Sequence, residues 1–257
     1  MGVLNVTPDS FSDGGKFLDP ARALERALVM AEQGARIIDV GGESTRPGSA
    51  PVPLDEELRR VLPVVRALAH QSEILISVDT SRPEVIEQAV AAGAAMINDV
   101  RALRAPGALQ AAARSGAGIC LMHMRGEPAT MQQSVHYEDV VAEVHALLGE
   151  RMAACAAAGL EPERLCLDPG FGFGKHTPHN LQLLRQLHTL RGLGRPLLVG
   201  LSRKSMLKEL TGRGKEERLA GSIALATVAV LNGADIVRAH DVDATVDAVR
   251  VAAALRD

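Results

Sequence analysis

The sequence predicts a single-domain (β/α)8 TIM barrel over residues 1–257, on three observations. Eight short apolar runs alternate with eight helical patterns, the signature of a parallel sheet with right-handed helical crossovers. The length of 257 residues suits one large α/β unit. Polar residues close nearly every predicted strand, whereas the main competitor, an open doubly wound sheet, would gather them at one switch point. In a barrel these strand ends share the C-terminal face, where chemistry is found whatever the reaction.

The predicted strands are 2–6, 36–40, 74–79, 95–99, 118–123, 164–168, 196–201 and 235–238, with helices near 20–33, 54–69, 83–92, 106–115, 137–158, 178–191, a broken stretch 203–231, and 243–255. Asp19-Pro20 and Thr177-Pro178 each place a capping side chain before a proline, and Ser81 with Glu84 spells a capping box. Gly-Ala pairs stop the helices at Gly34, Gly93, Gly116 and Gly233. Two connections, 7–18 and 41–53, are far longer than ordinary βα loops, and both are read as lids on adjacent strands.

Composition narrows the function. Net charge is −3 without a basic tract, which argues against nucleic acid, and no signal peptide or membrane-length apolar run is present. The core must be aliphatic, because the chain has no Trp and one Tyr. Cys120, Cys155 and Cys166 lack CxxC spacing and read as reduced core residues of a cytoplasmic protein.

The strand ends supply two kinds of chemistry. Asp168 opens the run DPGFGFGK, whose alternating glycines permit a sharp turn, and all four phenylalanines, at 11, 17, 171 and 173, lie in glycine-rich segments. The run is read as an acid and two rings bordering a flat polar ligand. Asp79, Asn98 and Asp168 match a ligand edge with several N–H donors, and Lys204 suits a ring carbonyl or nitrogen. Ser202-Arg203-Lys204-Ser205 and Arg238-Ala239-His240 follow strands seven and eight, where barrels often bind phosphate. The alternatives are ion pairs within the barrel, Arg203 or Arg238 with Asp79 or Asp99, or Asp79 with Lys204. No HExxH or Cys/His cluster is present, so a metal would have to be a hard cation held by few protein oxygens, Asn5 among them.

As a set, NVTPDSFSDGG from Asn5, IDVGGESTRPG from Ile38, SVDT from Ser77, INDV from Ile97, DPGFGFGK from Asp168, SRKS from Ser202 and VRAHD from Val237 resemble the dihydropteroate synthase family over essentially the whole chain. The resemblance implies a pterin-binding barrel that condenses 6-hydroxymethyl-7,8-dihydropterin diphosphate with p-aminobenzoate, giving 7,8-dihydropteroate and diphosphate. It places the pterin against Asp79, Asn98, Met122, Asp168, Phe173, Lys204 and Arg238. The diphosphate falls to Asn5, Arg46, Arg238 and His240, with Asn5 a ligand of Mg²⁺, and p-aminobenzoate to Phe11, Thr45, Pro47, Phe173 and Ser205. Asp13, Lys204, Arg238 and His240 become the catalytic set, and a homodimer is implied. The family usually has a small hairpin ahead of the first strand, whereas this sequence starts inside that strand at Met1-Gly2.

The implied chemistry needs no strong base, because a neutral arylamine attacks a methylene whose diphosphate is neutralised by Mg²⁺, arginine and protonated histidine. Two other readings share the pterin acids: a pterin-dependent methyltransferase-like barrel, which has no need of GGESTRPG, SRKS and RxHD, and a catalytically silent pterin-binding homologue, which would be free to lose Asn5, Phe11 or Asp13.

Overall fold

Alternation along the strands decides which side chains reach the barrel interior. In β2 (Ile37–Gly41), Ile38 and Val40 point outward into the layer shared with the helices, leaving Asp39 inside. In β3 (Leu75–Asp79) the outward pair is Ile76 and Val78, so Ser77 and Asp79 face inward. The computed structural model that shows this describes residues 1–7, 20–44, 49, 51–127, 130–133 and 135–256.

β1 (Gly2–Asn5), β2, β3, β4 (Met96–Asp99), β5 (Gly118–Met122) and β6 (Leu165–Asp168) pair in chain order, all parallel. β7 (Leu198–Val199) pairs with β8 (Ile236–Val237) in the same sense. Bridges from Leu167 to Leu197 and from Gly2 to Ala239 join the two sheets at both edges, closing eight strands into a barrel. The predicted strands are all found, trimmed at the ends except for β2, which is shifted one residue along.

The helices form the outer ring: α1 (Pro20–Glu32), α2 (Leu54–Gln71), α3 (Pro83–Ala91), α4 (Ala108–Ser115), α5 (Val140–Ala157) and α6 (Thr177–Arg185), which runs on as a 3₁₀ turn over Leu187–Leu193. The broken stretch after β7 resolves into a short α7 (Met206–Thr211), a 3₁₀ turn and α8 (Leu219–Leu231), and α9 (Val242–Ala254) closes the ring. Two predicted caps are corrected. Ser81 donates to Asp99 and caps nothing, and α6 is capped one residue earlier than Thr177, where His176 N–H donates to His179 Nδ1 at 3.2 Å. The aliphatic core lies between strands and helices, and Cys120, Cys166, Leu198, Met96 and Ile236 plug the barrel below the site. All three cysteines are buried and free.

Candidate active site

The C-terminal strand ends surround a cleft of about 440 Å³ lined by Asn5, Phe173, Ser205 and His240, among others. A deeper chamber of about 30 Å³ shares Asp79, Phe173, Lys204 and Arg238 with it and adds Asn98, Met122 and Asp168. These are all ten of the predicted site residues that fall within the described part, five on the strands β1, β3, β4, β5 and β6 and five on the loops after β6, β7 and β8. Phe11, Asp13, Thr45, Arg46 and Pro47 lie outside the described residues.

The floor is built around Arg238. Its Nε donates to Asp39 Oδ2 at 2.6 Å and its Nη2 to Asp79 Oδ2 at 3.0 Å, so one guanidinium serves two buried acids. Asn98 Nδ2 donates to the same Asp39 oxygen at 3.0 Å, which leaves the Asn98 carbonyl as an acceptor. Burial pushes the Asp79 pKa up to about 7, with Asp39 adding to the shift and Arg238 opposing it. Asp168 is likewise raised by burial, against the Gly170 N–H that bonds it at 2.7 Å. Asp39, fully buried, is a polar residue near a predicted strand end that sequence reasoning left without a role. Its inward parity on β2 was the available signal.

Parity also corrects the ring. Asp99 points outward on β4, opposite to Asn98, and accepts Arg101 N–H and Leu103 N–H at 2.8 Å each, so it organises a loop. His123, just past β5, is buried against Lys175, whose Nζ lies 2.8 Å from its Nδ1, 3.0 Å from Gly170 O and 3.1 Å from Phe173 O. Three acceptors call for the three N–H bonds of an ammonium. Burial pulls the Lys175 pKa down to about 7 and, helped by Lys175, that of His123 to about 2, so the histidine is neutral. This pair staples the turn after β6. Only glycine fits its first corner: at φ +68° a Cβ on Gly170 would sit 1.9 Å from His123 O. Of the two rings expected at the ligand, Phe173 lines the cleft with Lys204 Nζ 4.3 Å above its centroid. Phe171 is only 1% exposed and packs in the aliphatic core, touching no more than the inner chamber.

The rim is cationic. Arg203 is not free for an anion: it grips Asp241 at 3.0 and 2.5 Å and reaches Glu216 at 3.1 Å. Among the described residues no carboxylate lies within ion-pair distance of Lys204, so the alternative of an Asp79–Lys204 pair is not what forms; burial lowers the Lys204 pKa to about 8. Ser202 Oγ accepts His240 N–H at 3.2 Å and stands 3.1 Å from His240 Nδ1. Burial, then Arg238 and Arg203, lower the His240 pKa to about 3. That shift favours the neutral ring, against the protonated histidine that the sequence reading expects at the diphosphate.

A pterin-binding enzyme family model matches residues 1–240, which takes in every one of these groups from Asn5 to His240. The dihydropteroate synthase of Escherichia coli K12 is 55% identical over 251 residues, 98% of this chain and 89% of that protein. The chain belongs to the dihydropteroate synthase family. The dihydropteroate synthase of Yersinia pestis, solved in a complex with a sulfonamide drug, superposes with a TM-score of 0.96 at 50% identity, covering 99% of this chain and 93% of that one. That of Xanthomonas albilineans, solved with 4-aminobenzoic acid, gives 0.94 at 54% identity, covering 99% and 92%.

Proposed function

We propose that the protein condenses 6-hydroxymethyl-7,8-dihydropterin diphosphate with p-aminobenzoate, forming 7,8-dihydropteroate and diphosphate. The observation that carries this is the polarity of two adjoining cavities: an acceptor floor of Asp79, the Asn98 carbonyl and Asp168, below a rim bearing Lys204 and His240, with Arg238 on the floor lining both cavities. A pterin edge rich in N–H groups suits the floor, and a diphosphate suits the rim. The amine lone pair forms the new C–N bond at the methylene while the C–O bond breaks, its electron pair leaving on diphosphate; the amine then loses a proton. Lys204 faces the pterin above Phe173, and Ser205 stands where the carboxylate of the second substrate would enter. Phe11, Asp13, Thr45, Arg46 and Pro47 keep the roles the resemblance gives them, and a sulfonamide, the drug class bound to the Yersinia pestis protein, is expected to bind this one.

Among the described residues no three His, Cys, Asp or Glu side chains cluster for a metal, and a cation brought largely by the substrate fits this donor set. The Asn5 carboxamide oxygen at the cleft would complete such an Mg²⁺ site, and the ion would neutralise the leaving diphosphate. A homodimer is supported by α8, which is apolar on nearly every face and keeps Leu219, Val228 and Leu231 exposed near Val251 and Leu255 of α9. A cytoplasmic location accords with three free cysteines and with no described helix being long and apolar enough to cross a membrane.

The test is diphosphate release from dihydropterin diphosphate and Mg²⁺, with and without p-aminobenzoate. Release that requires p-aminobenzoate and yields dihydropteroate is expected. Pterin binding without release would leave a silent homologue.

A further inference from the structure

The strands that supply the cationic rim are joined by a two-rung clasp. Ser202 meets His240, and the next residue on each side, Arg203, meets Asp241. Arg203 N–H also donates to Ser222 Oγ at 2.9 Å, fixing the loop after β7 to α8. Ser202 Oγ is therefore held in place, and one of its lone pairs is taken by the backbone N–H of His240. Its hydroxyl hydrogen remains, and among the described residues the acceptor within reach is His240 Nδ1. We propose that Ser202 is a positioning residue that donates to His240 Nδ1, locks the neutral ring as its Nε2–H tautomer, and thereby turns an uncharged histidine into a hydrogen-bond donor for the leaving diphosphate.

The surroundings favour this arrangement over a cation. Arg238, Arg203 and Lys204 already place positive charge around the ring, and Asp241, the one acid among the described residues that opposes them there, is tied to Arg203. A neutral imidazole with its proton on Nδ1 would turn a lone pair toward the anion. With the proton on Nε2 the same ring donates to diphosphate at no cost in charging a buried group.

The inference rests on the condensation proposed above only in naming the anion, and its first test needs no turnover. In protein labelled with ¹⁵N-histidine, the His240 signals, assigned by their loss in His240→Gln, are expected to show protonated Nε2 and unprotonated Nδ1 at neutral pH. Ser202→Ala should lose that tautomer preference and weaken binding of inorganic diphosphate roughly tenfold, with a matching rise in KM for dihydropterin diphosphate. Affinity for the unphosphorylated dihydropterin should not change, and Ser202→Thr, which keeps the hydroxyl, should restore both tautomer and diphosphate affinity. A protonated Nδ1 or an imidazolium in the unsubstituted protein would overturn the proposal, as would an unaltered tautomer and diphosphate affinity in Ser202→Ala. Failure of the unsubstituted protein to make dihydropteroate would instead strike the condensation and leave the tautomer result standing.

Discussion

The floor and the rim of the cleft handle charge in opposite ways. On the floor, Asp39, Asp79 and Asp168 are nearly or fully buried, and one arginine is shared by the first two. At the rim, Arg203 is likewise shared, by Asp241 and Glu216, but all three are partly open to water. Buried charge with too few partners is expensive and poised to accept a ligand's hydrogen bonds, whereas solvated pairs chiefly hold loops in place.

The sharpest way to break the floor is Arg238→Gln, which strands two buried carboxylates. We expect a loss of about 3–5 kcal/mol in denaturant unfolding and no turnover. The loss should shrink as pH falls: a folded-state carboxyl pKa raised above its unfolded value costs stability that returns when the group is protonated. A variant as stable as the parent at pH 8 would mean that the acids do not depend on Arg238.

The staple beneath Phe173 comes next. Lys175→Met leaves Gly170 O, Phe173 O and His123 Nδ1 without their donor, and should cost about 2–4 kcal/mol by thermal or chemical unfolding. An unchanged midpoint would remove the staple. Lys204→Ala separates binding from folding, because it removes a desolvated cation that has no ion-pair partner among the described residues. Calorimetry should show dihydropterin binding weakened by roughly a hundredfold in a protein of near-parental stability; near-native affinity would take Lys204 out of the site.

Asp79 gives a subtler contrast. With its pKa raised to about 7, pterin N–H groups that bind the carboxylate must displace its proton below that pH. Pterin affinity should therefore rise as pH increases toward 7 and level off above it, with proton release at pH 6 visible as a dependence of the binding heat on buffer. At the rim, Glu216→Ala removes a side chain that is 75% exposed, and should change stability by no more than about 0.5 kcal/mol.

How legible this was in the sequence depended on how local each interaction is. The eight strand–helix units and the cluster of polar strand ends follow from periodicity and were predicted in order, with bounds a few residues off. Parity along a strand separates Asn98 from Asp99 and would have promoted Asp39. No such rule applies in the turn after β6, where Phe171 and Phe173 share the same spacing yet one enters the core and the other the cleft. Lys175 was illegible because its partner His123 is 52 residues away on another strand. The capping box at Ser81 failed for the same reason, its hydroxyl being drawn to Asp99 on β4.

Arg238 directly follows the last strand, and its two acids are 199 and 159 residues earlier, on the second and third. A chain growing from its N-terminus must carry Asp39 and Asp79 without their counter-charge until nearly all of it has been made. In a half-built barrel these two acids therefore lack the guanidinium that bonds them in the finished one. The residue proposed to grip the leaving diphosphate doubles as the final stitch, so that in this molecule assembly is certified by the same bond network that makes it active.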